Sequence, residues 1–182
     1  QQIFLADALE NGAGYVRKVS EPAEFQSLLN EHYESVADIW GGNKHIDCDT
    51  SCPDCLRSYN NRLIHHLLDW RLALDVTETI LLGRFNHERY LQSARNIAEW
   101  FKLLCEDFDI DVRVVEAGEL YSVVSDTKAL ILSHPLWHPQ HLNSIQQQAQ
   151  FDMSAYETEF VDIRVFQLNT HEFIMKLAGR YD

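Results

Sequence analysis

The sequence predicts an α/β chain of the α+β kind, a helical first half carrying a cysteine knuckle followed by a small mixed sheet with flanking helices. Three observations predict it. Apolar residues recur at helical spacing through three stretches before residue 106. After Asp107 the period shifts to the alternation of strands. Between the first two helical stretches, cysteines stand at 48, 52 and 55. The expected organisation is one domain over residues 1–182, with a helical part over 1–106 and an α/β part over 107–182.

The opening Ile3-Phe4-Leu5-Ala6 reads as a strand, followed by the glycine turn Asn11-Gly12-Ala13-Gly14. Arg17 stands where the third glycine of a Gly-x-Gly-x-x-Gly phosphate loop belongs, so a turn needing positive φ is the better reading. From Ala23 to Trp40, the residues Phe25, Leu28, Leu29, Tyr33, Val36 and Trp40 form one stripe, with Ser20-Glu-Pro-Ala as a start signal and Gly41-Gly42 as a stop. A second helix is expected from about Asn61 to Leu82, broken by Gly83. A third is expected from Asn86 to about Cys105 on the stripe Tyr90, Leu91, Ala94, Ile97, Phe101 and Leu104. Beyond it, "IDVRVVEAG" and "LYSVVS" alternate as strands, and "ALILSH" is a buried apolar run. Pro139 to Gln150 reads as a short polar helix, "EFVDIRVFQL" as a strand, and Thr170 to Ala178 as a last helix.

With 182 residues, 46% of them hydrophobic, the chain is long enough to bury a core. It has no run of 18 apolar residues and no charged-then-apolar leader, so a soluble, untargeted protein is expected. That it begins with Gln1 rather than Met suggests a piece of something longer. The formal charge of -13 opposes attraction to a polyanion across the whole surface, so a nucleic-acid role needs a local basic patch or a basic partner. Four cysteines, three of them bunched, do not resemble a secreted disulfide scaffold, and a reducing, cytoplasmic compartment is expected.

Cys48-x3-Cys52-x2-Cys55 brings three soft ligands onto a tight turn, with Pro53 setting one φ angle. A closed zinc site needs a fourth ligand. His45, three residues before Cys48, would close the loop locally. His65, ten residues beyond Cys55, is preferred because Asp69 follows one helical turn later and would hold the imidazole in its ligand tautomer. Cys105 lies on an apolar helical stripe and reads as core. Redox chemistry at Cys52-Pro-Asp-Cys55 is the weaker alternative, since no thioredoxin-like strand precedes it and a third cysteine stands nearby. The site reads as structural zinc, with no open position for water.

"LADALENGAGY", "CDTSCPDCLRSYNN", "HHLLDWRLALD" and "HPLW" together resemble the DUF1998 domain of DEAD/DEAH-box helicases and of anti-phage systems such as DISARM and Druantia. That domain is related to the zinc-binding module of MrfA-type DNA-repair helicases. The resemblance covers most of the chain and is strongest from Cys48 to Asp75. It implies that Cys48, Cys52 and Cys55 bind metal and that His65 falls where the short form of the motif carries a histidine; the repair-helicase form uses four cysteines. Arg57, Tyr59, Asn61, Asp69 and Arg71 match recurring positions expected to brace the knuckle. What the resemblance implies is an accessory domain in phage defence or DNA repair, partnered with helicase motor domains in the same or another chain. The chain has no Gly-x-x-x-x-Gly-Lys-Ser/Thr loop, so motor activity must reside elsewhere.

Arg57, Arg62 and Arg71, with Tyr59, make a candidate DNA contact on an otherwise acidic surface, although pairing with neighbouring aspartates is the duller account. His134, His138 and His141 in "SHPLWHPQH" suggest a second metal cluster, but two prolines break any helix that would align them, and a turn is favoured. Glu116, Glu119, Asp126 and Lys128 are the residues that a metal-dependent nuclease would use, and a solvated strand edge explains them equally well. A pure protein–protein adaptor is the third reading.

Overall fold

The computed structural model describes residues 14–40, 42, 45 and 47–179. The expected opening strand at 3–6 lies outside the described residues, as does most of the glycine turn; Gly14 does adopt a positive φ of 74°. The chain is a mixture of helices and one mixed sheet, as the sequence predicts. It divides into two compact units, Gln1–Phe85 and Asn86–Asp182.

The first unit contains α1 (Tyr15–Val19), α2 (Pro22–Trp40), a 3-10 segment (Tyr59–Leu67) and α3 (Trp70–Leu82). Helix α2 starts on Pro22, where a missing N–H costs nothing. Its apolar stripe meets α3 at a small core of Trp40, Trp70 and Leu74, with Tyr33, Val36, Leu56 and Ala73 packed against it. The single helix expected from Asn61 to Leu82 is instead two pieces. Leu68 and Asp69 are extended, at φ -77°, ψ 135° and φ -143°, ψ 116°. The Trp70 N–H leaves the helical ladder and donates to the Thr50 carbonyl at 2.9 Å. The Asp69 carboxylate then caps α3, accepting the N–H groups of Arg71 and Leu72 at 2.9 and 3.1 Å. Gly83 ends α3 at φ 67°, a conformation that side chains with a Cβ rarely adopt.

The second unit opens with α4 (Glu88–Glu106), whose inward face buries Ala94, Ala98, Phe101 and Cys105. Strands β1 (Arg113–Ala117), β2 (Leu120–Val124) and β3 (Lys128–Ser133) form an antiparallel meander. Helix α5 (Ser144–Asp152) then carries the chain across to β4 (Glu157–Asp162), which lies parallel to β3 with Leu132 opposite Val161. The sheet order is β1-β2-β3-β4. Helices α6 (Ile163–Leu168) and α7 (Thr170–Leu177) finish the unit.

The expected strand "EFVDIRVFQL" is half strand and half helix. The Asp162 side chain accepts the N–H groups of Arg164 and Val165 at 2.7 and 3.2 Å and so starts α6 at the last residue of β4. Ile163 and Phe166, three residues apart, are then buried on one helical face. Helix α5 likewise starts later than expected, at an Asn143–Gln146 capping box. Among the described residues, no helix is long and apolar enough to cross a membrane.

Candidate metal centre

The loop after α2 folds through short backbone bonds. The His45 N–H donates to the Gly42 carbonyl and the Cys48 N–H to the His45 carbonyl, both at 3.0 Å. The N–H groups of Cys55 and Arg57 both reach the Cys52 carbonyl, at 3.1 and 3.0 Å. These turns bring one ligand atom each from His45, Cys48, Cys52 and Cys55 within 4.8 Å of one another. A tetrahedral ion at the usual zinc bond lengths sets its donors about 3.5–4 Å apart, so a small inward closure completes the cage. His45 is buried and the three cysteines are half-buried.

The imidazole is fixed in a ligand tautomer. Its Nδ1 lies 3.1 Å from the Trp40 carbonyl oxygen, which can only accept, so the proton sits on Nδ1. Nε2 keeps its lone pair and stands 3.3 Å from Cys52 Sγ. The Trp70 ring packs edge-on to His45 at 4.9 Å. Burial pushes the Cys48 thiol up to about 12, helped by its hydrogen bond with Cys52 and by the neighbouring charges of Cys55 and Cys52. A divalent ion would stabilise thiolates in such a cluster, and one imidazole with three sulfurs is a donor set that suits zinc.

The loop is tied to the rest of the unit by side chains. The Trp70 indole N–H donates to the Cys48 carbonyl at 3.0 Å. The Arg71 guanidinium donates to the Asp49 carbonyl and lies 4.6 Å over the Trp70 ring. Arg57 Nε donates to Ser51 Oγ at 2.9 Å. Asn61 accepts the Ser58 N–H and donates to the Leu56 carbonyl, both at 2.8 Å.

The structure brings His45, not His65, to the cysteines. His65 Nε2 instead lies 3.0 Å from the Ser58 carbonyl and 2.9 Å from Asn61 Oδ1, because the 3-10 segment turns that ring back on its own first turn. Asp69, expected to orient His65, caps α3. Cys105 lies in the core of the second unit. Of the candidate DNA-contacting residues, Arg57 and Arg71 brace the loop. Arg62 stacks 4.6 Å over Tyr59, which is 79% exposed.

The roles of the Trp40 carbonyl and the Trp70 indole escaped sequence reasoning. A backbone acceptor leaves no sequence signal, and Trp70 reads only as core.

In the second unit the histidine run forms turns. His134 Nδ1 accepts the Leu136 N–H at 3.1 Å, and His138 Nδ1 accepts from Gln140 and His141 at 3.0 and 3.2 Å. Glu119 pairs with His87 at 3.4 Å, and Asp126 lies in the β2–β3 turn. Among the described residues, His45 with the three cysteines is the only group of three or more metal-ligating side chains close enough to share an ion.

No family model and no solved structure matches the chain. Among curated proteins, Druantia protein DruE of Escherichia coli (strain UMEA 4076-1) is 33% identical over 81 residues. That stretch is 44% of this chain and 4% of that protein. Over less than half its length, then, the chain is similar to a small part of a Druantia protein, and its cluster of one histidine and three cysteines could hold a metal ion.

Proposed function

We propose that the chain is a zinc-stapled, non-motor module of the DUF1998 kind, belonging to an anti-phage defence protein and working beside a DNA-translocating motor. The observation that carries this reading is the meeting of His45, Cys48, Cys52 and Cys55 donors within 4.8 Å. The similarity to a Druantia protein favours defence over DNA repair. The zinc is structural, since three thiolates and one imidazole fill a tetrahedron and leave no position for water.

The module's part is docking rather than chemistry. In the 3-10 segment no side chain is buried, and Tyr59, Leu63 and Leu67 are 79%, 83% and 56% exposed. An apolar strip of that kind beside the metal loop suits a protein surface such as a motor domain. DNA guidance is the second role, resting on Arg62 and Tyr59, because the two other arginines brace the loop. A nuclease has less support, since none of Glu116, Glu119 and Asp126 belongs to a group of three or more metal-ligating side chains among the described residues.

The test is a plaque assay of the parent defence system carrying Cys52→Ser, at matched protein level, with elemental analysis of the purified chain. Loss of protection together with loss of one zinc per chain is expected. Full protection by a metal-free variant would remove the reading. Titrating DNA binding against salt separates the two roles, because a docking module shows no affinity even at low ionic strength.

A further inference from the structure

We infer that the metal centre decides whether the first unit folds, and that the second unit folds without it. The inference rests on the metal reading above and adds what the ion controls. Among the described residues, the buried apolar side chains of the first unit are Trp40, Trp70 and Leu74. With Tyr33, Val36, Leu56 and Ala73 half-buried against it, the core among the described residues is small beside the conformational entropy of two helices and a long connecting loop, and small units of this kind rely on a staple.

Both tryptophans of that core are tied directly to metal-ligating residues. The Trp40 carbonyl holds His45 Nδ1, and the Trp70 indole N–H holds the Cys48 carbonyl. Trp40 ends α2 and Trp70 begins α3, so an ion shared by His45 and Cys48 clamps the end of one helix to the start of the other. Within the stretch between them, the 3-10 segment buries no side chain and adds nothing to that core. Without the ion, three thiols converge with no charge to draw them in, and the clamp opens.

The second unit draws on different resources. Phe101, Leu130, Ile131, Leu132, Ile163 and Phe166 are all buried there, and the four sheet strands are paired in register. Its stability does not pass through the donors at 45–55.

Hydrogen–deuterium exchange on the full chain tests this, comparing the zinc-loaded form with a form stripped by chelator, each checked by elemental analysis. Amides of α2 and α3 are expected to exchange at least about tenfold faster in the stripped form, while those of β2, β3 and α4 keep their rates. Adding zinc back should restore the slow rates. If the stripped chain keeps its protection in α2 and α3, the inference fails while the metal reading stands. If β2 and β3 lose protection as well, the inference also fails, because the ion then controls both units. If the chain neither retains nor takes up zinc, the metal reading falls and the inference with it.

Discussion

The indole N–H of Trp70 donates to the Cys48 carbonyl at 3.0 Å, joining the first residue of α3 to the first cysteine of the loop. Replacing Trp70 with Phe keeps most of the packing and removes that donor. The half-buried carbonyl then loses its partner, at a cost of about 1 kcal/mol. Chemical denaturation of the zinc-loaded chain should show a loss of that size in the transition assigned to the first unit.

His45 and His65 separate cleanly by substitution. His45→Ala removes a donor beside the three sulfurs and should weaken zinc binding by at least about tenfold. His65→Ala removes only hydrogen bonds within the 3-10 segment and should leave zinc affinity unchanged. Competition with a chromophoric chelator reads both, and equal affinities for the two variants would contradict the assignment.

The raised Cys105 thiol gives the second unit an alkaline limit. Burial pushes that thiol up to about 11. A thiol held above its unfolded value of 9.0 favours the folded state while protonated. That contribution is complete below pH 9 and is lost as pH rises towards 11. The denaturant midpoint of the second unit should therefore fall above pH 9. Zinc binding runs the opposite way: it must displace the Cys48 proton, so apparent affinity falls as pH drops.

Asp69→Ala removes the cap of α3 and should cost about 1 kcal/mol, while Asp69→Asn should cost less because an amide oxygen still accepts. Urea titrations followed by tryptophan fluorescence compare the two.

Phe166 is 1% exposed and packs against Phe101 at 4.5 Å and Phe173 at 5.1 Å. Phe166→Ala should cost the second unit about 3–5 kcal/mol while zinc stoichiometry stays unchanged. A fall in metal content with that variant would show that the units do not stand apart in stability.

What was legible in the sequence follows from the range of the interactions. The gathering of Cys48, Cys52 and Cys55 could be read because loop residues three and four apart need only local turns to meet. The neighbouring histidine was harder, since the choice between His45 and His65 turns on whether residues 59–67 form an α-helix or a 3-10 helix. That is decided by the Trp70–Thr50 bond and the Asp69 cap, contacts that periodicity does not report. The switch from β4 to α6 was hidden for another reason. Ile163, Val165 and Phe166 are apolar enough to continue a strand, and only the capping by Asp162 turns them into a helix. The α4 stripe read correctly because its apolar positions recur along 19 residues, and β3 because it is an almost continuous buried run.

Every donor of the cluster comes from residues 45 to 55, before α3 and well before the sheet. A metal cage built from them would close over a very short span of polypeptide, and little chain entropy would be lost in closing it. During synthesis a ribosome would release this stretch before any of the second unit, so an ion could be captured while translation of the sheet is still under way.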